Sequence, residues 1–178
     1  WHDSISAPFG AGRIRSAGWV DVQKLVAKGQ VFWEENKIWH RRAWKLSDGC
    51  PTGFDTVVDC RGVGAKEDML TYGLEVRPNQ GEVLTVKTSS TVGSETVNNV
   101  TWAMPIAEDV VRIGSTYRWD FSESMVLEGT KKILLDKANA ARKHSIFNGE
   151  DIIGHRAGLR PASPDRRPIV GRISDHFP

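Results

Sequence analysis

Gly154-His155-Arg156-Ala157-Gly158-Leu159-Arg160-Pro161-Ala162-Ser163-Pro164-Asp165-Arg166-Arg167-Pro168-Ile169-Val170-Gly171 is the densest stretch of the chain. Asp151 to Gly158 reads as a strand, and Arg160 to Arg172 turns to Pro and Arg and reads as a loop. Prolines 161, 164 and 168 fix φ and stiffen that loop, so side chains at its strand end point in fixed directions. Arg160 falls where strand meets loop, just after Gly158, a residue that permits close approach of another group. A guanidinium so placed suits a carboxylate, which it can grip through two parallel hydrogen bonds. The plainer reading of so many arginines is a solvated, ion-paired loop.

Upstream of this stretch, Ser124 to His144 is the best helix, carrying Leu127, Ile133, Leu134, Leu135 and Ala138 among long basic side chains. Three strands precede it: Gly81 to Lys87, Asn99 to Met104, and Val110 to Thr116 with Asp109 at its start. Phe54 to Cys60 is a short apolar run closing in Arg61-Gly62-Val63-Gly64-Ala65, read as a buried strand and glycine turn. A short helix follows near Glu67 to Tyr72. Toward the N-terminus, Val22, Leu25, Val26 and Phe32 recur at near-helical spacing within Val20 to Glu35, behind the N-cap candidate Asp21. Ile38 to Lys45 alternates like a strand, residues 49–53 form a turn, and residues 1–19 read as a loop leading into a short strand. Strands outnumber helices and lack the crossover helices of a parallel sheet. The expected fold is α+β, a mixed and largely antiparallel sheet with helices packed on one side.

At 178 residues, 39% hydrophobic and 26% charged, the chain has an ordinary globular composition. A net charge of +2, from 24 basic and 22 acidic residues, argues against a nucleic-acid or membrane-surface protein. No apolar run reaches membrane-span length. The start, Trp1-His2-Asp3-Ser4, has neither a Met nor a signal pattern, which suggests a trimmed chain. Cys50 and Cys60 are too few for a disulfide framework and lack metal spacing, so a reducing, cytoplasmic setting is expected. Five histidines show no spacing for zinc or a triad, and no metal site is expected. His155, on an apolar strand, reads as a hydrogen-bonded core residue rather than a base.

The order Ala157-Gly158-Leu159-Arg160-Pro161, then Ser163-Pro164-Asp165 and Pro168-Ile169-Val170-Gly171, closely resembles the late substrate-domain segment of the D-amino-acid oxidase/glycine oxidase family of FAD-dependent oxidoreductases. The resemblance implies that Arg160 binds the substrate carboxylate. Val57 to Ala65 resembles the strand and glycine turn that touch the flavin, which gives Cys60, Arg61 and Gly62 as candidate cofactor contacts. Gln80 to Val86, Val111 to Trp119 and Gly18 to Val22 resemble further segments in the family's order. Anchored on Pro105, Trp102 falls where the oxidases place an aromatic residue over the substrate; core packing is the other reading. Tyr117 lines the same pocket or caps the sheet. The family's opening strand, G-x-G-x-x-G turn and helix, which hold the FAD pyrophosphate, are not matched here. Gly62-Val63-Gly64 follows a predicted strand, but Glu67 stands at the third glycine position.

The resemblance thus implies residues 1–178 of a substrate-binding domain, with 54–65 and 160–178 approaching an FAD-binding domain missing from this sequence. The implied reaction oxidises the C–N bond of an amino acid or related amine; the competing reading is a non-catalytic binding module on the same fold. FAD is the implied cofactor of the whole enzyme, and the fragment alone is expected to be inactive and not to retain it. Self-association through apolar area left by the partner domain is expected as well.

Overall fold

The apolar run Val83-Leu84 with Val86 lies in the strand on which the sheet of the computed structural model is built. The structure describes residues 4–89, 92–121 and 123–172. Its strands are β1 (Arg77–Lys87), β2 (Val97–Asn98), β3 (Trp102–Ala107), β4 (Val110–Gly114) and β5 (Ile152–Ala162). Its helices are α1 (Val22–Glu35), α2 (Lys66–Leu70) and α3 (Glu128–Ala140). Sheet order is β2-β3-β4-β1-β5 and every pair is antiparallel, so the fold is α+β.

Register divides the sheet into two faces, because side chains alternate along each strand. Leu84 lies opposite Ile113 and His155, and Val86 opposite Val111. These residues and Ala103 form the core face, packed with Leu134, Leu135 and Ala138 of α3 and with Phe147. The other parity, the open face, carries Asn79, Gly81, Val83 and Thr85 of β1 with Arg112 and Gly114 of β4. Trp102 and Met104 of β3 and Arg156, Gly158 and Arg160 of β5 complete it.

The chain divides into two compact units, one of described residues 4–8 and 58–172, the other of residues 9–57. In the smaller unit, Asp21 accepts from Lys24 N at 3.2 Å and caps α1 as the sequence implies. Residues 38–45 form no strand: Ile38 N donates to Trp33 O, and Trp39 stacks on Trp33 at 5.7 Å, so the segment folds back on its helix. Residues 54–60 are also irregular, and Phe54 and Val58 are exposed, because this apolar run pairs with no strand among the described residues.

Other boundaries shift for identifiable reasons. β1 starts four residues before Gly81, its polar residues Asn79 and Gln80 being buried and hydrogen-bonded. β5 runs past Gly158 to Ala162, which makes Arg160 a strand residue rather than a loop residue; an edge strand tolerates Pro161. α3 starts at Glu128, not Ser124, since Met125 O and Leu127 N are engaged by Gln80 and Glu82. Among the described residues no helix is long and apolar enough to cross a membrane.

Candidate functional site

Arg160 stands on the open face directly opposite Asn79. Its Nη1 donates to Asn79 Oδ1 at 2.9 Å and to the Thr116 carbonyl at 3.2 Å, and Nη2 donates to Ser115 Oγ at 2.7 Å. The guanidinium also lies 4.5 Å from the Tyr117 ring centroid, a cation–π distance. It is laid flat across Gly81, where any Cβ would overlap it. Every partner is neutral, and among the described residues no carboxylate pairs with this cation. Of the five N–H groups of a guanidinium, three are used, which leaves Nε–H and one Nη2–H for an anion.

Trp102 lies on the same face, on β3 with two strands between it and β5, and is half-buried rather than part of the core cluster. Its ring rests over Gly114, whose Cβ would meet Trp102 Cζ2 at 2.7 Å and Val83 Cγ2 at 3.0 Å. Tyr117 is largely exposed, with its ring against Arg160. Arg160, Trp102 and Tyr117 thus share one side of the sheet, and Arg160 and Tyr117 are in contact.

Cys60 is exposed with a free thiol. Arg61 donates to both Asp59, with Nη2 at 2.7 Å, and Asp68, at 2.6 Å. The Arg61 side-chain bond is the main cause holding the Asp59 carboxyl below its ordinary range, against a smaller opposing effect of burial. Gly62 opens a 3-10 turn at φ +60°, and a Cβ there would sit 3.5 Å from Pro161 Cγ. The glycine turn therefore abuts the residue next to Arg160. Of the 160–178 segment, residues 173–178 lie outside the described residues.

Sequence patterns did not reveal Asn79, Gly81, Ser115 and Thr116, which hold or accommodate Arg160. The available signal was a glycine amid polar residues inside a strand, Asn79-Gln80-Gly81-Glu82, which marks close approach of another group. Beneath the sheet Glu82 is buried, accepting from Leu127 N at 2.9 Å and Thr130 Oγ1 at 3.1 Å, and lying 2.8 Å from His155 Nε2. Among the described residues no group of three His, Cys, Asp or Glu side chains is placed to hold a metal ion.

No protein-family model matches the chain. Glycine oxidase of Pseudomonas putida is 26% identical over 126 residues, covering 68% of this chain and 34% of that protein. The crystal structure of glycine oxidase from Geobacillus kaustophilus matches with TM-score 0.55 at 21% identity, over 65% of this chain and 32% of that one. That of an iminodiacetate oxidase from Chelativorans sp. BNC1 matches with TM-score 0.51 at 25% identity, over 71% and 36% respectively. The chain spans about a third of the length of these proteins.

Proposed function

We propose that this chain, a homologue of part of the D-amino-acid oxidase/glycine oxidase family, supplies the substrate-binding face of an FAD-dependent oxidase or dehydrogenase acting on amino acids or related amines. The observation that carries the reading is Arg160, a cation pinned by three neutral acceptors with N–H groups left over. A carboxylate completes such a site, since a half-buried cation with free N–H groups calls for a hydrogen-bonded anion. Similarity to a glycine oxidase and an iminodiacetate oxidase supports small carboxylate-bearing amines as the substrate class.

When bound, FAD supplies a hydride acceptor for the carbon beside the amine, leaving an imine that water hydrolyses. This chain contributes position. Arg160 holds the carboxylate, Tyr117 backs the guanidinium, and Trp102 lines the same face, so one C–H bond is aimed in a fixed direction. The exposed turn at Cys60, Arg61 and Gly62, beside Pro161, is the candidate contact with the flavin. With Glu67 at the third glycine position, that turn lacks the phosphate cradle, and the 178-residue chain alone does not retain FAD in this reading.

The test uses the intact, flavin-loaded protein that contains this chain, assayed for ammonia release from a panel of small amino acids and N-substituted glycines. Turnover that Arg160→Ala removes while the flavin stays bound is the expected result. Undiminished turnover by that variant overturns the carboxylate site, and ligand binding without turnover by the unaltered protein favours a non-catalytic module.

A further inference from the structure

Arg160 is not the only cation on the open face. Register puts Arg156 on β5 opposite Val83, and Arg112 on β4 opposite Thr85, both with the parity of Arg160. The paired residues of that parity between them are Asn79, Gly81, Val83, Thr85, Trp102, Met104, Gly114 and Gly158, with no carboxylate among them. Neither Arg156 nor Arg112 has an ion-pair partner among the described residues, and Arg112 Nε is buried without a hydrogen-bond partner. Three guanidinium groups without ion-pair partners on one sheet face make that face attractive to anions.

We propose that Arg156, assisted by Arg112, forms a second anion subsite on this face, so that the substrate carries a second anionic group beside its amino-acid carboxylate. The inference rests on the oxidase reading above. Spacing supports a small diacid. Arg156 and Arg160 are four residues apart, about 13 Å along an extended strand. The Arg160 guanidinium leans back over Gly81, the register partner of Gly158, which brings it to about two residues, or ~7 Å, along the strand direction and one strand across from the Arg156 backbone. Gly158 lies between the two arginines, and a Cβ built there meets nothing within 4 Å. The strand surface between the two arginines is therefore unobstructed. Arg112 stands one strand beyond β1, opposite Thr85, two register positions from Val83, the partner of Arg156.

The experiment compares glycine, with one carboxylate, and iminodiacetate, with two, as substrates of the intact, flavin-loaded protein. The unaltered protein is expected to favour the diacid by tenfold or more in kcat/KM. Arg156→Gln, at an exposed position where folding is not at risk, should lower kcat/KM for the diacid at least tenfold and leave glycine within twofold. Arg156→Lys should retain part of the preference, and Arg112→Gln should lose less of it, in the same direction. Equal turnover of the two compounds, or an Arg156→Gln effect that is the same on both or absent from both, overturns the second subsite and leaves the oxidase reading standing. If the flavin-loaded protein oxidises no amine, the oxidase reading falls and takes this inference with it.

Discussion

Gly81 carries no functional group, yet it decides whether Arg160 can lie where it does. The guanidinium crosses the strand at the place a Cβ would occupy, and Gly81 has no positive φ. Alanine is therefore acceptable to the backbone and unacceptable to Arg160. Gly81→Ala is expected to cost little stability in chemical denaturation while lowering kcat/KM of the intact protein nearly as far as Arg160→Ala. Gly129→Ala, on α3 and meeting open space, is the control and should stay within a few-fold of the unaltered protein. Two equally active variants would show that the guanidinium does not need its bed over Gly81. Arg160→Lys keeps the charge and loses the planar fork. With a hydrogen bond to a charged group worth roughly 1.5–3 kcal/mol, the lysine variant should lose on the order of ten- to a hundredfold in kcat/KM. Alanine should lose more, since it leaves the carboxylate without a partner in a partly desolvated site. The proposed role of Arg160 came from the family resemblance, and its place at the strand end was readable from Gly158 and Pro161. Its holders were not, for they lie 81, 45 and 44 residues away along the chain and are joined to it only by strand pairing.

Helix α3 begins at a residue that cannot cap it. Leu127 occupies the N-cap position without a side-chain acceptor, and the helix's first amides would go unpaired if the helix stood alone. Glu82 anchors that start from the core face of β1, accepting from Leu127 N and Thr130 Oγ1 while lying against His155 Nε2. A carboxylate at a helix N-terminus is also favoured by the helix dipole. Removing one partner from a buried set of this kind leaves donors unsatisfied, at about 1–3 kcal/mol for each group. Glu82→Ala should therefore lower the denaturation midpoint by the equivalent of ~3 kcal/mol or more at unchanged slope, and Thr130→Val by ~1 kcal/mol. A Glu82→Ala chain as stable as the original would mean that α3 is held by apolar packing alone. The same arrangement explains which elements the sequence showed. β4 announces itself by the alternation of Val111 and Ile113, and the body of α3 by Leu134, Leu135 and Ala138. The first residues of β1 and the true start of α3 stay hidden, because they are fixed by polar side chains reaching across the sheet. Residues 38–45 and 54–60 carry strand-like patterns with no partner strand among the described residues, and pattern alone cannot supply one.

For the molecule as a whole, an antiparallel sheet with α3 on one face follows from many short alternating segments and few crossover helices, so the fold class was legible. The division into two units was not, since composition does not change where residues 9–57 give way to the larger unit. That smaller unit holds the least satisfied apolar surface. None of the residues of α1 is buried, and Val22, Leu25, Val26 and Phe32 each remain more than half exposed. A single exposed leucine means little, but one helix presenting four such side chains forms the kind of patch that soluble monomers rarely leave uncovered. Burying apolar area contributes about 25 cal/mol per Å², so a few hundred Å² hidden between two copies offset several kcal/mol of association cost. The purified 178-residue chain is accordingly expected to self-associate through α1. Light scattering should give a mass that rises with concentration, and Leu25→Lys with Phe32→Glu should return it toward the monomer without changing the circular-dichroism spectrum. α1 is well suited to such surgery, because both side chains are exposed and can accept charge. A strict monomer across the concentration range would mean that this surface stays in water, and an association that the double variant leaves intact would place the contact elsewhere, with the unpaired outer edge of β5 the next surface to alter.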